Sequence, residues 1–204
     1  NSSDIIADIV PGLDSDHWTQ TYRRASIIAV SDSPEGPFTD LSPKNPVTGR
    51  DLMTLDGTFY VAPDGTPYLV YAHEWVQKLD GTVEAIQLTE DLSGGVGNPF
   101  LMFRATSAPW YEWDGLMYDQ YGARYGTVEE HKQLSDKQLP GYVTDGAHIH
   151  TTPNGSLLTV WTTYRDDKYI MTQAISRTGN IEGPWEQLPP LDYNDKGHSM
   201  IFKT

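Results

Sequence analysis

The sequence predicts an all-β fold built from repeated four-stranded units, the blades of a β-propeller. Three observations point to it. Apolar stretches are short, rich in Val, Ile, Tyr and Trp, and bounded by Gly, Pro, Asn and Asp, with little helical periodicity. Hairpin signals separate them at Pro63-Asp64-Gly65, Asp80-Gly81 and Pro153-Asn154-Gly155, where glycine supplies the positive φ of a tight turn. Two distinct elements also recur in the same order, the mark of a repeat architecture rather than of a sandwich.

In chain order the expected strands are Ser26–Ser31, Thr58–Val61, Pro67–His73, Val83–Leu88, Phe100–Arg104, His148–Thr151, Leu157–Thr163 and Tyr169–Ile175. The first repeated element runs Asp56-Gly57-Thr58-Phe59-Tyr60-Val61, then the turn at Pro63, then Tyr68-Leu69-Val70-Tyr71. Its second copy is Asp145-Gly146-Ala147-His148-Ile149-His150, the turn at Pro153, then Leu157-Leu158-Thr159-Val160-Trp161. The second element ends Glu35-Gly36-Pro37-Phe38 in one copy and Glu182-Gly183-Pro184-Trp185 in the other. Residues 1–45 then read as the end of one blade, 53–104 and 142–190 as full blades, and 197–204 as the start of the next. The stretch 111–141, with scattered charges and no alternation, reads as a loop insertion with a helical turn near Val128–Leu134. A propeller closes with about four blades or more, so the 204 residues are expected to be a fragment of roughly two and a half blades.

Composition narrows the chemistry. Lys and Arg number 14 against 28 Asp and Glu, a formal charge of −14 that repels phosphate backbones and anionic lipid surfaces. Nucleic acid and membrane partners are therefore disfavoured, and neutral substrates remain. The absence of Cys removes disulfides, thiolate–zinc sites and thiol catalysis. Six Trp, 12 Tyr and 5 Phe are enough rings to fill a β core and still line a binding surface.

The first strand of each propeller blade lines the central axis, so Asp56 and Asp145, at equivalent repeat positions, are expected to converge on one pocket. Two carboxylates on neighbouring strands can flank a glycosidic bond, one as acid and one as base, about 6.5–9.5 Å apart in an inverting hydrolase. Asp-Gly also opens strands for turn reasons alone, and that reading stands beside the catalytic one. His148 and His150 share a strand face, but with no third ligand in the pattern they read as ordinary strand residues.

The motifs Leu55-Asp56-Gly57-Thr58-Phe59-Tyr60-Val61, Ala72-His73-Glu74-Trp75, Ala108-Pro109-Trp110, Val143-Thr144-Asp145-Gly146 and Gly197-His198-Ser199-Met200 arrive in an order that resembles glycoside hydrolase family 43, from about Arg24 to Thr204. The resemblance implies a five-bladed β-propeller that removes arabinofuranosyl or xylosyl groups from plant polysaccharides with inversion, a carbohydrate partner, no required cofactor, and a secreted or periplasmic location. It implies that Asp56 tunes and orients the acid. It makes Asp145 the general acid, although most members carry Glu-Gly-Pro where this chain has Asp145-Gly146-Ala147; Glu74 is the alternative carboxylate. The family's base, an Asp on the first strand of the first blade, finds no match among Asp4, Asp8, Asp14 and Asp16, so the chain is expected to begin after it. His198 matches a histidine facing the central channel, near a structural calcium with water between; a buried core histidine is the plainer alternative. Trp110, Trp75 and His73 are expected to contact the sugar, Trp113 and Tyr142 are further stacking candidates, and a core position is the alternative for each aromatic; the loop 111–141, with Trp113, Tyr118, Tyr121 and Tyr125, is expected to rim the pocket. The departure at Asp145 also leaves a second class open, a carbohydrate-binding propeller without catalysis.

Overall fold

The computed structural model describes residues 24–42, 45–50, 52–78, 80–110, 142–165 and 168–202. The insertion 111–141 with its expected helical turn and rim aromatics, and the four N-terminal Asp residues, lie outside that set.

Among the described residues the chain forms two four-stranded antiparallel sheets and a two-stranded ribbon. The ribbon pairs β1 (Ala29–Val30) with β2 (Thr39–Asp40). The first sheet is a meander of β3 (Thr54–Val61), β4 (Pro67–His73), β5 (Thr82–Leu88) and β6 (Gly95–Arg104). The second repeats that order with β7 (Asp145–Thr151), β8 (Leu157–Arg165), β9 (Lys168–Ser176) and β10 (Glu186–Asp192). All eight expected strands carry β structure, the first only over two residues. One helical turn, α1 (Trp75–Lys78), was not expected, and β10 was not among the expected strands. Pro189 and Pro190 argue against a strand on sequence grounds, but β10 is an edge strand, where a missing N–H donor costs little. In both copies of the second repeated element the Gly–Pro peptide is cis, at Gly36–Pro37 and Gly183–Pro184.

Strand alternation sorts side chains onto two faces. Tyr60, Val70 and Phe103 on one sheet meet Ala147, Ile149 and Trp161 on the other in a shared core, where the Phe103 and Trp161 rings lie 5.1 Å apart. The opposite face of the first sheet, with Leu69, Tyr71, Ile86 and Leu88, is covered by Val47 and Ile28. A polar seam joins the sheets at one end. Gly81 N–H donates to Tyr142 O at 2.7 Å and Thr144 Oγ1 donates to Thr82 O at 3.0 Å. Glycine is required at position 81, because a Cβ there would stand 2.6 Å from the Tyr142 carbonyl oxygen. The seam anchors the segment leading into β7 against the start of β5; β7 also packs beside β3, and the candidate site straddles these two leading strands.

Candidate functional site

Both repeated Asp-Gly dipeptides sit at irregularities of their strands. Register shifts fall between Leu55 and Thr58 in β3 and between Asp145 and His148 in β7. A bulge breaks the pleat and re-aims a side chain, which is how strands present functional groups. The positive φ that each bulge needs falls on different residues. In β3 it is Asp56 itself, at +56°, which costs about 1 kcal/mol for a residue with a Cβ. In β7 it is Gly146, at +55°, and a Cβ there would lie 2.8 Å from His198 Cα.

The bulges bring the two acids into one cleft of about 450 Å³. Its polar lining is Asp56, Asp145, Glu74, Arg24 and His198; Leu55, Trp75, Val143 and Tyr164 supply the apolar wall. Asp56 Oδ2 accepts the Gly146 N–H at 2.9 Å, and its Oδ1 lies 3.7 Å from His198 Nε2. Asp145 Oδ2 accepts the Tyr169 hydroxyl at 2.8 Å. Burial pushes the Asp145 carboxyl above the usual aspartate range and the Asp56 charge adds to it, while the Tyr169 bond, His198 and Arg24 pull the other way.

Glu74 follows β4, held by its N–H on Met53 O at 2.8 Å. Its Oε1 accepts Arg24 Nη1 at 2.7 Å. Burial raises this carboxyl too, opposed by Arg24 and reinforced by Asp145 and Asp56. Three acids thus crowd one cleft with one guanidinium and one imidazole, the setting in which a carboxylic acid keeps its proton toward neutral pH.

No protein-family model and no curated protein sequence matches the chain. Solved structures do. The chain is 32% identical to the endo-arabinase from Bacteroides thetaiotaomicron, with a TM-score of 0.68 over 94% of this chain and 69% of that one. The chain belongs to glycoside hydrolase family 43. A thermostable family-43 glycoside hydrolase (18% identity, TM-score 0.60, 85% of this chain and 51% of that one) shares the fold. So does an endo-1,4-beta-xylanase from Bacteroides thetaiotaomicron (19%, TM-score 0.55, 83% and 47%). This family 43 chain spans about two thirds of the first of these proteins and about half of the other two.

Within the family 43 chain, Asp56, Asp145, Glu74, Trp75 and His198 come together in the cleft, and two expected sugar contacts do not. His73 is 1% exposed, and its Nδ1 faces Glu84 Oε1 at 3.1 Å; strand alternation points it into the sheet packing while the next residue, Glu74, reaches the cleft. Trp110 packs against the shared core and donates Nε1–H to Tyr164 O at 3.0 Å, with the Arg165 guanidinium 5.9 Å from its ring centre. Tyr142 serves the seam through its backbone. His198 is a cleft residue with its side chain 59% exposed, not a buried core histidine. His148 Nε2–H donates to the Ile201 carbonyl at 3.0 Å. Among the described residues no group of three or more His, Asp or Glu side chains is placed to ligate a metal ion directly.

Two cleft residues, Arg24 and Tyr164, and one that bonds to the cleft, Tyr169, escape sequence reasoning. Arg24 belongs to no motif ahead of the first strand and pairs with a residue fifty positions away. Tyr164 and Tyr169 look like ordinary members of alternating strands. Only the β8–β9 register, with Tyr164 opposite Tyr169, puts Tyr164 in the cleft wall and Tyr169 beside it, within hydrogen-bond reach of Asp145.

Proposed function

We propose that this chain carries the acid side of an inverting glycosidase acting on arabinofuranosyl or xylosyl linkages of plant polysaccharides. In this reading it forms roughly two and a half blades of a five-bladed β-propeller. The supporting observation is the junction of Asp56 and Asp145: equivalent bulges on adjacent sheets, with Asp56 Oδ2 bonded to the backbone next to Asp145. The likeness to an endo-arabinase favours arabinan as the substrate class.

Asp145 donates its proton to the glycosidic oxygen as the bond from that oxygen to the anomeric carbon breaks, so the leaving sugar departs as a neutral alcohol. Water attacks the opposite face of the sugar, activated by a base that the described residues do not supply in this reading. Asp56 supplies the neighbouring negative charge that helps Asp145 keep its proton, and it fixes the Asp145 backbone. Asp145 is preferred over Glu74 because Glu74 is locked to Arg24 at 2.7 Å, and a carboxylate paired with a guanidinium is a poor proton donor. Trp75 and Tyr164 offer flat apolar surface to a sugar ring. No step requires a metal; a calcium beside His198 would act structurally. A polymeric substrate also fits a secreted or periplasmic enzyme.

The test is Asp145→Asn beside Glu74→Gln. Asp145→Asn should lower kcat on arabino-oligosaccharides by about 10²–10⁴-fold with sugar binding nearly intact. The loss should be much smaller on an aryl arabinofuranoside whose phenolate leaves unprotonated. Equal losses on both substrates, or an unchanged kcat, would remove Asp145 from the acid role. A catalytically silent protein that still binds arabinan would favour the carbohydrate-binding reading.

A further inference from the structure

Five contacts converge on Tyr169. Its hydroxyl donates to Asp145 Oδ2 at 2.8 Å, reaching from β9 across β8 to β7. Its N–H donates to Asp195 Oδ1 at 3.2 Å, and its carbonyl accepts the Lys196 N–H at 3.0 Å. Its ring walls in Gly197, where a Cβ would stand 2.5 Å from Tyr169 Cε1 and 2.3 Å from Thr162 Cγ2. Just beyond, His198 N–H is held by Thr162 Oγ1 at 2.9 Å, which leaves the imidazole facing Asp56. On the other side the ring packs on Tyr164, 5.2 Å between centres, and Tyr164 is part of the cleft wall.

We propose that Tyr169 is the positioning residue of this site: its hydroxyl fixes the Asp145 carboxyl, and its backbone and ring fix the 195–198 segment that brings His198 to Asp56. Asp145 is one methylene shorter than a glutamate, so its carboxyl stays close to its own strand, within reach of a phenol two strands away. The inference rests on the reading of Asp145 as the acid. The charged and titratable groups facing Asp145 are Asp56, Glu74, Arg24, His198 and Tyr169 itself. Replacing the phenol by a phenyl ring leaves the first four unchanged, so any change in Asp145 reports the lost hydroxyl. A donated hydrogen bond favours the ionised carboxylate, and its loss makes Asp145 hold its proton to higher pH.

The experiment is Tyr169→Phe in the complete enzyme of which this chain is read as a part, read by the pH profile of kcat/KM on arabino-oligosaccharides and by ¹³C NMR titration of the Asp carboxyls, with Asp145 assigned through Asp145→Asn. The Asp145 midpoint and the alkaline limb of activity should both move up by about one pH unit. A carboxyl midpoint that does not move overturns the role of Tyr169. A midpoint that moves while the limb stays keeps the Tyr169–Asp145 link and overturns the acid assignment instead. Gly197→Ala is the second variant, since it keeps the hydroxyl but forces Tyr169 and the 195–198 segment apart. The Asp145 titration should change there as well, and an unchanged one overturns the coupling between the two.

Discussion

Asp56 Oδ2 and the backbone N–H of Gly146 are joined at 2.9 Å, so a carboxylate on one sheet holds the chain beside a carboxylate on the next. A hydrogen bond to a charged acceptor contributes about 1.5–3 kcal/mol, enough to matter for a junction made of few contacts. The same carboxylate faces Asp145 as a like charge and disfavours its ionisation. One side chain therefore serves both the geometry of the cleft and its electrostatics.

Asp56→Asn separates these two roles. The amide oxygen still accepts the Gly146 N–H, so the melting temperature should change little, but the negative charge is gone. Asp145 should then ionise at lower pH, and the alkaline limb of kcat/KM should move down by about half a unit to one unit. Asp56→Ala should show the same movement with an added stability loss of about 1–3 kcal/mol, because the tether is lost as well. A limb that moves up in Asp56→Asn would contradict the arrangement.

Much of this arrangement is legible in the sequence, and the rest is hidden for identifiable reasons. The pairing of Asp56 with Asp145 follows from the repeat, since equivalent positions in adjacent sheets face the same axis. The bulges were readable only as turn-like glycines: Gly57 suggests a strand starting at Thr58, but β3 begins at Thr54 and continues through the irregularity. His73 and Trp110 sit beside functional motifs, yet whether a ring faces a cleft or a core depends on which sheet lies opposite, and local sequence carries no record of that. The Arg24–Glu74 and Tyr169–Asp145 contacts join residues 50 and 24 positions apart through strand register, which no periodicity reveals.

Trp110 is expected to act on stability. Trp110→Phe keeps a ring against the core but removes the indole donor to Tyr164 O and weakens the stacking of Arg165. The loss should be about 1 kcal/mol by urea unfolding. KM should move little, apart from what Tyr164 transmits to the cleft wall. A KM rise that dominates over the stability change would return Trp110 to the sugar site.

Asp80 predicts a pH signature in the seam between the sheets. It is fully buried, and its two oxygens accept the Thr106 N–H at 3.1 Å and the Thr106 hydroxyl at 2.7 Å. Burial pushes its carboxyl up to about 6, against the opposing pull of Thr106, Arg104 and Lys78. Because the folded pKa lies above the unfolded one, the native state holds the proton longer, and stability from this group falls as pH rises from about 4 to 6. In Asp80→Asn that component is absent. Between pH 4 and pH 7 the variant should gain on wild type by up to about 3 kcal/mol, measured as the difference between two urea-unfolding series. A difference that is flat with pH would show that the carboxyl is not perturbed.

Glu84 should behave in the opposite sense. It is fully buried and accepts Thr82 Oγ1–H at 2.7 Å and the Tyr71 hydroxyl at 3.2 Å, with His73 Nδ1 at 3.1 Å and Lys78 Nζ at 3.7 Å. Burial by itself would raise this carboxyl, but His73, Lys78 and Thr82 outweigh it and hold it below the usual glutamate value. A depressed folded pKa contributes stability that is complete at neutral pH and is lost as pH falls below about 4.5. Glu84→Ala removes the buried carboxylate that faces both His73 and Lys78 and should cost about 3–5 kcal/mol at pH 7. Glu84→Gln keeps the shape and part of the hydrogen bonding, so its cost should be smaller at pH 7 and should shrink further in acid, where the wild-type carboxylate begins to take up its proton. His73 and Lys78 bracket Glu74 and Trp75 in the chain, so loosening this cluster should also loosen one wall of the cleft, seen as a higher KM in Glu84→Gln at temperatures well below unfolding. A cost independent of pH, with KM unchanged, would mean that the cluster only fills space.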